Sequence, residues 1–578
     1  MTATSAASTS PASPTSPPAV PPVPSTRVVV VGHGMVGGRF AQDLVARAGA
    51  GPGSFDVTVL GAEEYEPYNR VLLSDVVAGK VDVAAIGLPE ADDPHVTVRR
   101  GTEAIAVDRA ARRVVTADGA YPYDVVVLAT GAAARVPDVA GLTDRPAGLP
   151  RGVHALRTLD DAREIVAASL NARHAVVVGA GVLGLEVACG LARRGVPVSL
   201  VHGGASPMDR QLDTPAGRVV ERSLARLGVR TWTGARTERV VVDPEGHVRG
   251  VALRVPETRG DDPGATRAVN LDADLLVLAC GTVPEAGLAR AAGLTVDRGV
   301  VVGTDLASPD DPRVFAIGDC AQPPEGGTGL VAQGWEQSRR LAAALASHVP
   351  DAGDPTPRVR LSRPDRPSMA LRLATGVVAR PAAPASDGAR EAAPEPAAPG
   401  TDVVRVKAAG LEIVTMGVCG ARQVHDPAHR TVTLSDPASG RHVEVVVADG
   451  VLAGATCVGA PEVGADLTAA YTRRLPVPAD PAQLLVRPVG PAPAPATTPT
   501  LMPDRTTVCQ CNGVTKGDLV GCWRAGARSV DELARATRAT TGCGGCRDVV
   551  CGLADWLASA DPEQPEEAPA EHAGAGAP

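Results

Sequence analysis

Apolar residues in this chain gather into short unbroken runs, each stopped by glycine and followed by residues of helical spacing. Arg27–Val31 reads RVVVV, Gly32-His33-Gly34-Met35-Val36-Gly37 follows at once, and GRFAQDLVARA then repeats its apolar positions with a helical period. The next run, DVTVL at 56–60, ends just before Glu63 and Glu64. A second copy starts at His174–Val178 (HAVVV), turns through Gly179-Ala180-Gly181-Val182-Leu183-Gly184, and ends in VPVSLV at 196–201. Two further runs end in small residues: Tyr123–Leu128 before Ala129-Thr130-Gly131, and Val314–Ile317 before Gly318-Asp319-Cys320. Runs that are apolar throughout, not alternating, suit strands buried on both faces of a parallel sheet. The pattern predicts two doubly wound α/β folds.

Beyond residue 400 the pattern changes. DVVRV, LEIVTM, TVTL and HVEVVV are short and β-branched, and predict a small β-rich domain. Residues 505–560 return to helical spacing, with Thr515-x-x-Asp518 and Ser529-x-x-Glu532 each matching a capping box. Pro/Ala-rich stretches near 380–400 and 488–500 read as flexible linkers. The expected division is as follows. Residues 1–26 are disordered. The first fold covers 27–150 and 280–350, with the second fold, 151–279, inserted. A linker with an insertion occupies 351–400, the β-rich domain 401–487, a second linker 488–504, the helical module 505–560, and a disordered tail 561–578.

Composition narrows the function. The 578 residues carry a net charge of −9, with only three Phe, four Trp and five Tyr. An acidic chain poor in aromatic residues lacks the basic face and stacking platforms of a nucleic-acid binder. The N-terminus has no basic start or apolar core, and no apolar run reaches bilayer length. The expected setting is cytoplasmic, with no membrane contact.

The glycine turns carry the first chemistry. Glycines permit a tight strand-to-helix turn, and the bare N–H groups at the helix start can hold a pyrophosphate. Glu63, past the second strand, is placed to take ribose hydroxyls. The cysteines carry the second. Of eleven, six lie between Cys509 and Cys551. Cys509-x-Cys511 and Cys543-x-x-Cys546 offer four thiolates, which suit a [2Fe–2S] cluster or a Cys₄ zinc site. Cys522 and Cys551 fall outside that pattern and read as small buried hydrophobes.

The order GxGxxG, ATG, GxGxxG, GD resembles the two-dinucleotide-binding-domain flavoproteins of the pyridine-nucleotide-disulphide-reductase type. That resemblance implies a glutathione-reductase-type α/β fold of two Rossmann-like domains, with a small β-rich interface domain. It implies FAD on the first fold, at Gly32, Gly34, Gly37, Glu63, Arg70, Ala129, Thr130, Gly131, Asp319 and Glu336. It implies NAD(P)H on the second, at Gly179, Gly181, Gly184, Glu186, His202 and Gly281. The reactive centre is then the flavin N5, with no certain catalytic side chain. A helix beginning near Gln333 is expected to aim its N-terminus at the flavin. Where the disulphide-reducing branch carries a redox cysteine pair, this chain has Tyr68–Asp75 (YNRVLLSD) without a cysteine. Electrons therefore leave by another route.

That route is expected at the C-terminus. The CxC…CxxC module resembles bacterioferritin-associated-ferredoxin [2Fe–2S] domains, which implies cluster ligation by Cys509, Cys511, Cys543 and Cys546. The whole set resembles the assimilatory nitrite reductase large-subunit type, and most nearly the electron-transfer subunits of assimilatory nitrate reductases. Only 32 residues follow Cys546, which leaves no room here for a sirohaem centre. The implied partner is a molybdenum-containing nitrate reductase catalytic subunit, or a sirohaem nitrite reductase component. A ferredoxin or rubredoxin reductase, an NADH oxidase and a non-enzymatic docking scaffold are the rival readings, and a homodimer stays open. The strand 196–201 ends in His202 without the acid usual in NADH-preferring relatives, and no Arg or Lys lies in 202–208. A weak NADH preference is expected.

Overall fold

The computed structural model describes residues 25–48, 55–143, 148–257, 265–347, 402–420, 426–486, 502–509, 512–542 and 544–560. Residues 1–24 and 561–578 of the expected disordered ends, the 380–400 insertion and the 488–500 linker lie outside the described residues, while Thr26, expected in the disordered end, opens the first strand.

The apolar runs become parallel strands. Thr26–Val31 lies between Phe55–Leu60 and Val125–Leu128, parallel to both, and Val28–Val31 are buried. This sheet has six strands, with Val96–Arg99 at one edge and the pair Asp311–Ala316 and Ala307–Ser308 at the other. The second fold repeats the plan. Ala175–Val178 lies between Val198–Val201 and Leu275–Leu278 in a five-stranded sheet. In each sheet the glycine turn leaves the central strand where chain order reverses across the sheet, the place at which open α/β sheets bind ligands.

The β-branched runs after residue 400 form a five-stranded antiparallel sheet, in spatial order Val404–Ala408, Leu411–Gly417, Val451–Val458, Arg441–Ala448, Arg430–Asp436. Helix Pro461–Thr472 packs on this sheet. Val404, Val406, Ala408, Leu411 and Ile413 join the core of the second fold, so the two domains share buried apolar surface.

In the C-terminal module, helices Lys516–Arg524 and Val530–Thr537 open with the two predicted capping boxes. Asp518 N donates to Thr515 Oγ1 and Thr515 N to Asp518 Oδ2; Ser529 and Glu532 repeat the exchange. Helix Arg547–Ala560 closes the module around Leu519, Trp523, Leu533 and Val550. The helix expected near Gln333 begins at Val331, and Trp335 Nε1 ties it to the Met35 carbonyl at 3.0 Å. Among the described residues, no helix is long and apolar enough to cross a membrane.

Candidate functional site

The two glycine turns are built alike. Gly32 and Gly179 have φ of +115° and +106°, a region that L side chains rarely adopt. A Cβ on Gly32 would run into the Ala129 carbonyl, and one on Gly179 into the Ala279 carbonyl. A Cβ on Gly37 or Gly184 would likewise strike the carbonyl of Gly32 or Gly179. At the middle position the opposite holds: a Cβ on Gly34 or Gly181 meets nothing within 4 Å. The outer glycines serve the turn itself. The middle ones leave a bare backbone facing open space, as an approaching pyrophosphate requires.

A cavity of about 900 Å³ opens from the first turn, at the upper end of the usual ligand-pocket range of roughly 300–1,000 Å³. It gathers Gly32, Gly34, Glu63, Arg70, Ala129, Thr130, Gly131 and Asp319, eight of the ten residues the resemblance assigns to FAD; Gly37 stays behind in the turn. Its polar groups are held by second partners. Arg157, which carried no sequence motif, donates from Nη2 to Asp319 Oδ2 at 2.9 Å and from Nε to the Ala132 carbonyl at 2.7 Å. Glu63 takes the Arg70 guanidinium and the Tyr68 hydroxyl, the latter at 2.8 Å. Burial pushes the Tyr68 phenol above its ordinary range, so it stays a donor to Glu63. Gly329 and Val331 also line the cavity, so helix Val331–Ala346 starts at its wall. No side chain caps that start, and its N–H groups are suited to negative charge. Size, open glycine backbone and helix terminus all fit FAD.

Two assigned residues fall outside these cradles. Glu336 turns along its helix to Arg339, at 2.7 Å, and lines neither the cavity nor the turn. Glu186 is buried between domains: its Oε1 accepts from Lys407 N at 2.9 Å and its Oε2 from Ser74 Oγ at 2.5 Å. Gly179, Gly181 and Gly184 build the second turn, and His202 stands beside it. His202 Nδ1 accepts from Ala180 N at 3.4 Å, and Nε2 lies 3.3 Å from Asp209 Oδ1. Gly281 has φ +94° and open space at its Cβ position.

Of the four assigned cysteines, Cys511 and Cys543 lie outside the described residues. Cys509 and Cys546 are both buried and adjacent. The hydrogen bond from Cys546 first, then N–H donors of Asn512 and Thr540, pull the Cys509 thiol down to about 6 against its burial. Asn512 Nδ2 lies 3.7 Å from Cys509 Sγ, and Thr540 N donates to Cys546 Sγ at 3.3 Å. Paired thiols ringed by donors are suited to thiolate ligation of a cluster.

The module is docked on the first fold. Asn69, itself buried, donates from Nδ2 to the carbonyls of Thr541 (3.0 Å) and Gly542. Leu72 lies 3.0 Å from the Cβ position of Gly544. Arg538 Nη1 donates to Asp43 Oδ1 at 2.7 Å, and Arg39 Nη1 to Asn512 Oδ1 at 2.7 Å. Tyr68, Arg70, Val71 and Leu73 line the cavity, while Asn69 and Leu72 of the same segment touch the cysteine loop. Asn69 and Leu72 stand within the stretch that the sequence singles out for its lack of cysteine. Their contacts with the module had no sequence signal.

Comparison with known proteins agrees with this architecture. The pyridine nucleotide-disulphide oxidoreductase family model matches residues 26–343, and the BFD-like [2Fe-2S] binding domain model matches residues 507–553. Nitrite reductase [NAD(P)H] of Bacillus subtilis (strain 168) is 28% identical over 529 residues, covering 91% of this chain and 57% of its own length. The assimilatory nitrate reductase electron transfer subunit of the same strain is 28% identical over 553 residues, covering 94% of this chain and 61% of its own length. The chain thus spans less than two thirds of either relative. A crystal structure of the covalent putidaredoxin reductase–putidaredoxin complex superposes with a TM-score of 0.60 at 24% identity, over 80% of this chain and 96% of that one.

Proposed function

The chain belongs to the pyridine nucleotide-disulphide oxidoreductase family, and we propose that it carries electrons from a reduced nicotinamide dinucleotide through FAD and a [2Fe–2S] cluster to a partner reductase. The single observation that carries this reading is the segment Tyr68–Leu73. It is a wall of the FAD cavity, and through Asn69 and Leu72 it is also the seat of the cysteine loop. A dinucleotide cavity and a cysteine loop that share one wall support direct transfer between the groups they would hold, and the segment between them contains no cysteine to divert electrons into thiol chemistry.

Held in this cavity, FAD would supply chemistry that matches a two-electron hydride donor to a one-electron cluster. The chain's own residues do the rest. Gly34 and Gly181 leave bare backbone where the two pyrophosphates would bind. Arg157 and Tyr68 hold Asp319 and Glu63 oriented toward the cavity. The start of helix Val331–Ala346 favours negative charge at the cavity wall. Cys509 and Cys546, with Cys511 and Cys543, would hold the cluster, and Asn512 and Thr540 already bond the sulfurs of Cys509 and Cys546.

The acceptor we propose is the catalytic subunit of an assimilatory nitrate reductase, supported by the likeness to that enzyme's electron transfer subunit. The equal likeness to nitrite reductase [NAD(P)H] supports a sirohaem nitrite reductase component as the second reading. Anaerobic reconstitution decides between them: the protein with NADH and either candidate subunit, scored for nitrate or nitrite consumption. The Cys546→Ser variant should keep NADH:ferricyanide activity and lose both the cluster's paramagnetic signal and transfer to the subunit. Equal turnover of the subunit by that variant overturns the cluster route.

A further inference from the structure

Far from the flavin cavity, Asp213, His442 and Glu444 bring one ligand atom each within 4.8 Å of one another. Asp213 ends the loop before helix Thr214–Arg226 of the second fold. His442 and Glu444 stand two residues apart on strand Arg441–Ala448 of the interface domain, so both point to one face of that sheet, the face against the helix. His442 is 0% exposed and Glu444 5%. His442 Nε2 has no hydrogen-bond partner among the described residues, and it is aimed at Asp213 Oδ1, 3.8 Å away.

We propose that these three side chains bind a divalent transition-metal ion of the zinc type, which clamps the interface domain to the dinucleotide-binding fold. A buried imidazole nitrogen that makes no hydrogen bond and faces two carboxyl groups is the donor set of a three-ligand zinc site. Each candidate ligand is already oriented from behind, as metal ligands are. Ser435 Oγ bonds His442 Nδ1 at 3.1 Å, which turns Nε2 inward. Thr433 Oγ1 donates to Glu444 Oε2 at 3.2 Å, and Ala216 N donates to Asp213 Oδ1 at 2.9 Å. Tetrahedral zinc with bonds of about 2.0–2.2 Å holds its ligand atoms roughly 3.4 Å apart. The observed spacing therefore needs only a small inward closure. One imidazole with two carboxylates suits zinc or a neighbouring first-row ion better than magnesium or calcium, which take oxygen alone. Asp213 also caps its helix, so the ion would fix the helix start against the sheet.

The test uses the full-length holoprotein and isosteric variants. Asp213→Asn keeps the helix cap, because Asn caps as well as Asp. Glu444→Gln and His442→Gln keep much of the volume and polarity. Elemental analysis after incubation with zinc chloride and desalting should find one zinc per chain in the wild type, beside the cluster iron. Each variant should bind zinc at least about tenfold more weakly, with flavin, iron and sulfide contents unchanged. Cobalt(II) loaded in place of zinc should show visible ligand-field bands without thiolate charge-transfer absorption. A chelator should lower the unfolding temperature of the wild type and leave that of Asp213→Asn unmoved. The proposal is overturned if the wild type takes up neither zinc nor cobalt. It is overturned equally if bound zinc persists in all three variants, since the metal then sits elsewhere, as on the cysteines.

Discussion

Asn512 directs its Nδ2 at Cys509 Sγ, 3.7 Å away, while its Oδ1 accepts from Arg39 Nη1 at 2.7 Å. One side chain thus joins a cysteine of the C-terminal module to the first helix of the flavin fold. An N–H donor to a ligating sulfur stabilises the reduced, more electron-rich cluster. Asn512→Leu keeps the bulk and removes the donor. Its cluster should become harder to reduce by tens of millivolts, on the order of 1 kcal/mol. A redox titration followed by electron paramagnetic resonance checks this. An unchanged potential would reduce Asn512 to a docking residue.

Docking itself can be loosened without touching the cluster. Arg538 has φ +62° at the end of helix Val530–Thr537, a left-handed cap where glycine is at ease. Its guanidinium reaches across to Asp43 and Gln42. Arg538→Gly therefore preserves the cap and deletes the cross-domain pair. With NADH, ferricyanide reduction should be unaltered. Cluster reduction, followed by stopped-flow absorbance, should slow several-fold, because the undocked module samples longer distances. No change in that rate would show that Asn69 and Leu72 suffice to seat the loop.

The two kinds of glycine in the first turn should fail differently. Gly37→Ala places a methyl on the Gly32 carbonyl and should destabilise the fold by a few kcal/mol. Gly34→Ala meets nothing in the protein and should leave the flavin-free chain as stable as the wild type. It should weaken FAD binding by roughly 100-fold, about 2.7 kcal/mol. Thermal melts with and without added FAD separate these outcomes. An FAD-induced rise in the melting temperature of Gly34→Ala equal to that of the wild type, alongside unimpaired flavin content, would contradict the cradle.

What the sequence made legible was local. A glycine pressed against a backbone carbonyl of a tight turn leaves a fixed spacing, and so does a cysteine pair; Gly32, Gly37, Cys509 and Cys546 were readable for that reason. Partners brought by the fold were not. Arg157 reaches Asp319 from 162 positions away. Lys407 arrives from the interface domain to meet Glu186, whose family role suggested the nucleotide. Glu336 sits beside the right helix start yet faces Arg339, because a helix turns adjacent residues to different sides.

Glu186 has a pH signature. Burial pushes its carboxyl above the usual range, and Lys407 and the Ser74 bond only partly oppose this. A carboxyl with a raised folded-state value lends its stability below the unfolded value, near 4.3, and loses it as pH rises through the folded value. Glu186→Gln keeps an acceptor for Lys407 N and a partner for Ser74, and removes the ionisation. Denaturant titrations from about pH 5 to about pH 8 should show the variant gaining on the wild type as pH rises, by on the order of 1 kcal/mol. A constant difference across that range would place the ionisation outside it.

Nucleotide choice is expected to turn on an acid that the sequence hides. Strand Val198–Val201 ends in His202, and no carboxylate stands at that position. The following loop folds back and brings Asp209 to His202, with Oδ1 3.3 Å from Nε2. A Cβ on Gly204 would strike the same carboxylate, so the glycine keeps the acid close to the strand end. A carboxylate there can bond a ribose 2′-hydroxyl and repels a 2′-phosphate. NADH should therefore be preferred over NADPH. Asp209→Asn removes the repulsion and keeps a polar partner for His202. It should raise the NADPH-to-NADH ratio of kcat/KM by about tenfold, roughly 1.4 kcal/mol. Steady-state kinetics with ferricyanide as acceptor give that ratio directly. A wild type that already favours NADPH, or a variant ratio that does not move, would mean that the adenosine ribose lies elsewhere than beside His202.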